Sequence, residues 1–249
     1  MPKDNTFLFV STNFDNATEA TDRALRRLYD EYQDKKLMAY GIFPCWRDTL
    51  EDFINQYDQK TIYIASHGNE YTITAQDGSP MLDESNIEIM SGRCLYVWSC
   101  STGKVLIPKA IEKKCLVAIA YDTDVSAFIH QNPDGTWDLD EDSYDVFSKP
   151  IKTLSEAGKT FKDAYDETIA RYDYWINYYK DQPAIKAVFE ENKAGLKLYG
   201  DGSQVALLTP LQETQKIIQE SASSFIGQIT SFIMLFLIIT LIKSIITIK

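Results

Sequence analysis

Two segments of the sequence decide the fold, residues 61–68 (TIYIASHG) and residues 94–103 (CLYVWSCSTG). Each begins with five residues that are apolar or β-branched and continues with small and polar residues. Continuous apolar runs of this kind are typical of parallel strands that are buried on both faces of a sheet. The two segments therefore predict two core strands, each of which ends in a polar turn.

The segments around this pair alternate between strand and helix patterns. Apolar runs predict further strands at 7–11, 37–43, 115–121 and 196–199, and helical spacing predicts helices at 18–33, 46–57, 105–113, 144–156 (interrupted by Pro150), 160–179 and 185–192. A hairpin is predicted at 71–75 with a turn at Asp77-Gly78, and solvated loops are predicted over 129–140 and 138–145. This order predicts an α/β fold in which helices flank a mostly parallel sheet.

Composition and charge exclude several classes of protein. The chain has 249 residues, of which 45% are hydrophobic and 12% aromatic, so a fully disordered or low-complexity chain is excluded. The net charge is -11 and the pI is near 4.7, which argues against a nucleic-acid partner because no positive field attracts phosphates. The length suggests either one ordinary domain or one domain plus an appendage.

The appendage is the end of the sequence. Residues 225–242 (FIGQITSFIMLFLIITLI) carry no charge and are long enough to cross the hydrocarbon core of a bilayer as a helix. The first residues do not have the pattern of a signal peptide. We therefore expect a single-pass membrane protein with a cytoplasmic domain at 1–208, a connector at 209–223 and a C-terminal transmembrane anchor at 224–249. A buried helix of a soluble core is the alternative.

His67 and Cys100 follow the two core strands, and the carboxyl ends of neighbouring parallel strands meet at one edge of a sheet. A thiolate is a nucleophile, and an adjacent imidazole can take its proton, so the pair predicts a catalytic Cys–His dyad. The N–H groups of Gly68 and Cys100 are predicted to form an oxyanion hole. A helix beginning near Thr102 is expected to lower the pKa of the thiol.

The remaining cysteines and the second histidine favour structural roles. Cys45, Cys94 and Cys115 are predicted to pack in the core, and His130 is predicted to lie in a solvated loop. No CxxC motif or histidine cluster is present, so neither a metal site nor a cofactor is expected. A purely structural role for His67 and Cys100 is the alternative to the dyad.

The turns Ser66-His67-Gly68 and Ser99-Cys100-Ser101-Thr102-Gly103 resemble those that carry the dyad of caspase-like cysteine peptidases (clan CD). The closest resemblance is to the CHAT and gingipain-like branches. Downstream, Gly158-Lys159-Thr160 with Asp163-Ala164, and Leu198-Tyr199-Gly200-Asp201-Gly202, are similar to later motifs of the family. Two positions depart from the pattern, since Ser99 stands where alanine is usual and Gly202 where proline is usual.

The resemblance implies a three-layer caspase-like sandwich and an endopeptidase that cleaves protein or peptide substrates, with a role in bacterial signalling or defence by analogy. The predicted anchor would hold this endopeptidase at a membrane. It implies a pocket for the residue before the scissile bond, where Asp122 and Asp124 are candidate partners of a basic side chain; a solvated turn is the alternative for both. An activating partner or self-association is expected. The competing hypotheses are an inactive scaffold of the same fold and a membrane-disrupting effector whose soluble domain acts as a sensor.

Overall fold

The computed structural model describes residues 3–219, 221 and 223. The chain divides into two units, and the division falls between Leu207 and Leu208. The first unit is built on one large sheet and two small hairpins. Its strands are β1 (Lys3–Ser11), β2 (Met38–Ile42), β3 (Gln59–Ala65), β4 (Ile73–Thr74), β5 (Pro80–Leu82), β6 (Cys94–Trp98), β7 (Val117–Tyr121), β8 (Ile129–Gln131), β9 (Trp137–Leu139) and β10 (Leu196–Gly200).

The large sheet has six strands in the order β10-β7-β6-β3-β1-β2. Five of these strands run parallel to their neighbours, and only β10 is antiparallel, along β7. The sheet is therefore mostly parallel, as the continuous apolar runs predict. β4 pairs with β5 and β8 pairs with β9 in two separate antiparallel hairpins.

Helices cover both faces of the sheet, which gives three layers. Their bounds are α1 (Asn16–Asp34), α2 (Arg47–Tyr57), α3 (Leu106–Glu112), α4 (Glu141–Leu154), α5 (Phe161–Tyr178) and α6 (Pro183–Gly195), and a short 3₁₀ helix spans Ile87–Met90. One core cluster holds residues of α1, α4, α5 and α6, and the other holds residues of α2, α3 and the 3₁₀ helix. Alternate residues of each strand supply the two clusters, as the side-chain period of two requires.

The face under α1, α4 and α5 is rich in buried tyrosines that are hydrogen-bonded through their hydroxyl groups. The Tyr96 hydroxyl donates to the carbonyl oxygen of Phe147 at 3.1 Å, and the hydroxyls of Tyr121 and Tyr172 lie 2.8 Å apart. A buried hydroxyl without a partner would be costly, so these bonds make the aromatic layer compatible with burial. The layer extends to Trp98 at the carboxyl end of β6. The Trp98 and Tyr121 rings are in contact there, with a distance of 5.3 Å between their centroids.

Three local predictions were wrong, all between residues 129 and 156. The predicted polar loop forms the β8–β9 hairpin, and most of the acidic run 138–145 forms the first turns of α4, where carboxylates interact favourably with the helix dipole. α4 also continues through Pro150. Phe147, Ile151 and Leu154 are fully buried on this helix, and their packing outweighs the loss of one backbone hydrogen bond.

The second unit is described only in part. A helix spans residues 210–219, and its start is capped by a reciprocal pair: Thr209 N–H donates to Gln212 Oε1 at 2.8 Å and Gln212 N–H donates to Thr209 Oγ1 at 3.2 Å. Within the described residues, no helix is both long and apolar enough to span a membrane. The predicted membrane segment 225–242 lies outside the described residues.

Candidate active site

The carboxyl ends of β3 and β6 lie side by side in the middle of the sheet. Ala65 is paired with Trp98 in the parallel register, and Ser66 N–H donates to the Trp98 carbonyl oxygen at 3.2 Å. His67 and Cys100 follow directly, and both side chains line one cavity of about 110 Å³. The structure therefore brings together the two residues that the sequence predicts to form a dyad.

The imidazole of His67 is oriented by a carboxylate. His67 Nε2 lies 2.6 Å from Asp15 Oδ2, and the ring of Phe14 lies 5.5 Å from the imidazole centroid. The hydrogen bond assigns the proton of the neutral imidazole to Nε2, which leaves Nδ1 as the basic nitrogen. Both side chains of the pair are only about half covered, with 43% of His67 and 45% of Asp15 exposed.

Asp15 is also the N-cap of α1, which explains its fixed position. Its side chain accepts from Thr18 N–H at 2.9 Å, and the Asp15 backbone N–H donates to the Thr18 hydroxyl oxygen at 3.0 Å. Partial burial raises the pKa of Asp15, but the hydrogen bonds from Thr18 and His67 outweigh it and lower the pKa overall. Sequence reasoning missed Asp15. The signal was present, because Asp15 and Thr18 form a capping pattern just beyond β1, the strand next to β3.

The Cys100 thiol is half-buried and points to a backbone carbonyl. Its Sγ atom lies 3.7 Å from the Val125 oxygen. Burial raises the pKa of the Cys100 thiol, and the nearby Asp124 carboxylate raises it further. The expected helix-dipole effect is wrong, because α3 begins only at Leu106 and the residues after Cys100 form turns instead.

Gly68 lets the two strand ends approach closely. A Cβ atom at this position would lie 2.2 Å from Ser99 Oγ and 2.7 Å from the Thr72 carbonyl oxygen, so no side chain fits without displacement of the backbone. Ser66 anchors the same turn, since its hydroxyl lies 2.7 Å from both the Thr12 hydroxyl and the Thr74 carbonyl oxygen. The residues on either side of His67 are therefore fixed by sterics and by hydrogen bonds.

The backbone N–H groups near Cys100 fall into two sets. Ser101 N–H donates to the Thr123 carbonyl oxygen at 2.8 Å, and Gly103 N–H donates to that of Tyr121 at 2.7 Å. Among the residues that the structure describes, the N–H groups of Gly68 and Cys100 have no backbone acceptor. The turn is strained, because Ser101 has a φ of 56°. These two N–H groups, next to His67 and at Cys100, are therefore not used by the backbone of the described residues.

The two candidate specificity carboxylates do not line the cavity. Asp122 lies 3.4 Å from Lys197 Nζ on β10, and Asp124 accepts a hydrogen bond from the Ser101 hydroxyl at 2.7 Å. Val125, from the same loop, lines the cavity instead. Asp124 therefore supports the turn after Cys100, and Asp122 supports the contact between β7 and β10.

The other cysteines and the second histidine are separate from this site. Cys45, Cys94 and Cys115 are buried, as predicted, and burial raises the pKa of each thiol to about 12. His130 lies on β8, and its Nδ1 is 2.7 Å from Asp140 Oδ1. In residues 3–219, 221 and 223, no three His, Cys, Asp or Glu side chains are grouped so that they could hold a metal ion.

Several solved structures share this architecture, among them the following three. The complex of the Porphyromonas gingivalis RgpB pro- and mature domains matches with a TM-score of 0.58 and 12% identity, over 81% of this chain and 48% of that one. A structure described as a protease matches with a TM-score of 0.52 and 11% identity, over 82% and 48%. The Saccharomyces cerevisiae separase–securin complex matches with a TM-score of 0.51 and 12% identity, over 79% of this chain and 12% of the other.

These likenesses establish a caspase-like fold, since RgpB is a gingipain of the caspase-like clan. No protein-family model matches the sequence, and no curated protein matches it. The chain spans about half the length of two of the three structures and about an eighth of the third. The CHAT branch stays a prediction.

Proposed function

We propose that the protein is a caspase-like cysteine endopeptidase in which Cys100 is the nucleophile and His67 the general acid and base. One observation carries the proposal: the two side chains line a single cavity at the carboxyl ends of neighbouring strands, and Asp15 holds the imidazole there. A thiol, a base and a residue that orients the base are the parts that thiol acyl transfer requires.

The reaction begins with proton transfer from the Cys100 thiol to Nδ1 of His67, and the sulfur attacks the carbonyl carbon of the scissile peptide bond. Collapse of the tetrahedral intermediate breaks the C–N bond, and the imidazolium gives its proton to the leaving amine. Water, activated by His67, then hydrolyses the thioester and regenerates the thiol. Asp15 stabilises the imidazolium in both halves of the reaction.

The N–H groups of Gly68 and Cys100 bind the oxyanion of the intermediate. Their availability supports this role, because the neighbouring N–H groups of Ser101 and Gly103 are already used by backbone carbonyls. Preorganised donors of this kind contribute about 3 kcal/mol each to transition-state stabilisation. The absence of a Cβ atom at Gly68 leaves its N–H accessible to the carbonyl oxygen of a substrate.

The substrates proposed here are proteins or peptides. The titles of the similar structures name a protease, a pro-domain complex and a separase–securin complex, which supports a protein substrate and a protein that regulates the site. Cys100 Sγ is engaged with the Val125 carbonyl, and burial raises the pKa of the thiol, which disfavours the thiolate. Both features fit a resting site that a substrate or an activating partner converts to the reactive arrangement.

The same two features favour a second candidate, a binding scaffold that keeps the fold without catalysis. The decisive test is digestion of a peptide library by the full-length chain in mild detergent, beside its Cys100→Ala and His67→Ala variants. Cys45→Ala is the matched control, because it removes a thiol that is fully buried outside the cavity. Cleavage by the parent chain and by Cys45→Ala alone supports the peptidase. Cleavage that survives Cys100→Ala favours the scaffold. The absence of cleavage by a parent chain that is folded by circular dichroism also favours it.

We also propose that residues 225–242 anchor the protein in a membrane with its catalytic domain in the cytoplasm. The support is the length and the lack of charge of this segment. Membrane fractionation with alkaline extraction, compared with a chain truncated after residue 223, tests the anchor. A full-length chain that is extracted as readily as the truncated one contradicts it. If expression of the chain is toxic to cells, and this toxicity survives Cys100→Ala but not the truncation, the membrane-effector hypothesis is favoured.

A further inference from the structure

The cavity beside Cys100 has a defined set of walls. Two turns of α1 form one wall, through Ala17, Thr18 and Thr21, and the loop after β7 forms the opposite wall, through Val125 and Ala127. Trp98, two residues before Cys100 on β6, also lines the cavity. The cavity is therefore placed to receive a substrate side chain next to the bond that Cys100 would attack.

Apart from the His67 imidazole, none of the described residues that line this cavity has a charged side chain. Carboxylates of the neighbouring segments are already paired: Asp15 with His67, Asp124 with Ser101, and Asp122 with Lys197. Asp22 on α1 is buried and lies 2.8 Å from Arg26 Nε. A basic or acidic substrate side chain would lose its hydration here without gaining a counter-ion, which is strongly unfavourable.

The hydroxyl groups in the cavity are already hydrogen-bonded. Thr21 Oγ1 donates to the carbonyl oxygens of Ala17 at 3.2 Å and Thr18 at 3.1 Å, and Thr18 Oγ1 donates to Asp15 Oδ1 at 2.8 Å. Ser66 Oγ donates to the Thr74 carbonyl oxygen at 2.7 Å. The walls therefore offer few free donors or acceptors to a polar side chain, and apolar contact is the main attraction that remains.

Trp98 is a buried part of the cavity wall. Only 5% of this residue is exposed, and its indole is held edge-on by Tyr121 at 5.3 Å and by Phe147 at 5.1 Å. The cavity has a volume of about 110 Å³. A cavity of this size with a buried indole in its wall favours a small side chain over an aromatic ring or an arginine.

We infer that this endopeptidase cleaves after small apolar residues, with the side chain of alanine, valine or leucine seated in the cavity between α1 and Trp98. The inference rests on the proposed function and deepens it by naming a substrate class. It differs from the expectation drawn from Asp122 and Asp124, which favoured a basic residue before the scissile bond.

The test uses a series of peptidyl acyloxymethyl ketones that differ only in the residue before the warhead: Ala, Val, Leu, Phe, Asp and Arg. A reactive thiol displaces the carboxylate of the warhead and forms a thioether, which the intact mass of the full-length chain reports. We expect the Ala, Val and Leu probes to modify Cys100 at least about ten times faster than the others. Fastest modification by the Arg or Asp probe overturns the inference and leaves the peptidase function standing.

Failure of every probe, while iodoacetamide still alkylates Cys100, overturns the peptidase function itself.

Two variants test the walls separately. Thr21→Asp places a carboxylate in the cavity, so the rate with the Arg probe should rise relative to the Ala probe. Trp98→Phe replaces the indole by a smaller ring, so the rate with the Phe probe should rise relative to the Val probe.

Trp137→Phe is the matched control, because this indole lies on β9 and does not line the cavity. All of these readouts are ratios between probes, so a general loss of stability does not mimic them. Unchanged ratios in both cavity variants, with Cys100 still labelled, overturn the assignment of this cavity.

Discussion

Asp15 and His67 lie 52 residues apart in sequence, and their side chains meet at 2.6 Å between Oδ2 and Nε2. One carboxylate therefore performs two tasks, since it caps the first helix of the fold and orients the imidazole beside Cys100. The position of the base is thus tied to the start of α1. A change at Asp15 affects helix stability and the site through different atoms, which makes the two effects separable.

Asp15→Asn should lower kcat by about 10- to 100-fold with little change in KM, because asparagine caps a helix as well as aspartate but does not stabilise an imidazolium. Asp15 does not line the cavity, so substrate binding should be preserved. Steady-state kinetics with thermal denaturation measure both effects. Asp15→Ala should show the same loss of kcat plus about 1 kcal/mol of lost stability from the cap. An equal rise of KM in Asp15→Asn would contradict a role in positioning the base.

Gly68→Ala should destabilise the protein by about 2 kcal/mol and abolish activity, because the new Cβ would lie 2.2 Å from Ser99 Oγ. Ser99 Oγ is buried and has no hydrogen-bond partner among the described residues, so Ser99→Ala alone should be close to neutral. The double variant should recover part of the lost stability, since the contact with the Thr72 oxygen remains. Urea denaturation of the four proteins completes the cycle, and strict additivity would rule out the proposed clash.

Alkylation should identify Cys100 as the reactive thiol of the described domain. Cys45, Cys94 and Cys115 are nearly or fully buried and their pKa values are near 12, whereas Cys100 is half-buried at the cavity. Under native conditions, intact mass should show one iodoacetamide adduct on the full-length chain and none on Cys100→Ala. An adduct that persists in that variant would contradict the assignment.

The pH dependence of this alkylation follows from the direction of the pKa shift. Burial and Asp124 raise the pKa of Cys100, so without substrate the thiolate fraction is smaller than that of an exposed cysteine at neutral pH. The rate should therefore be below that of a cysteine peptide at pH 7 and should continue to rise as the pH passes the usual thiol range. A faster rate than the peptide at pH 7 would indicate a preformed thiolate–imidazolium pair.

Glu167 should stabilise the fold in a pH-dependent way. Burial raises its pKa, but hydrogen bonds from Lys149, Lys159 and Thr153 lower it overall, from an ordinary value of 4.5 to about 2. A carboxyl group whose pKa is lower in the folded state than in the unfolded state stabilises the fold at a pH above the unfolded pKa. This stabilisation is lost as the pH falls toward the folded pKa. Glu167→Gln should therefore reduce the free energy of unfolding by about 1 kcal/mol at pH 7, with the difference vanishing between pH 4.5 and 2.

Glu190→Gln is the control for this effect, because Glu190 makes only an exposed pair with Lys186 on α6. Its free energy of unfolding should change by less than about 0.5 kcal/mol over the same pH range. A pH-independent loss in Glu167→Gln would show that the glutamate acts through packing and not through its charge.

The sequence alone determined the sheet and the place of the site. Apolar runs fix which residues are buried strands, and the polar turns after 61–65 and 94–98 put His67 and Cys100 at one edge, because parallel strands end together. These features are local, so periodicity and turn chemistry suffice to predict them. The predictions for 129–145 failed because short strands and the acidic start of α4 are stabilised mainly by contacts with distant residues.

Only the tertiary structure decided what surrounds the two residues. Three features of the site join segments that are distant in sequence. They are the contact of Asp15 with His67, the hydrogen bond of Cys100 to Val125, and the uncharged cavity wall that includes Trp98. Asp122 and Asp124 show the limit of the sequence most clearly, since their position after β7 is right for a pocket but Lys197 and Ser101 hold their side chains. Side-chain direction depends on partners that only the folded chain brings together.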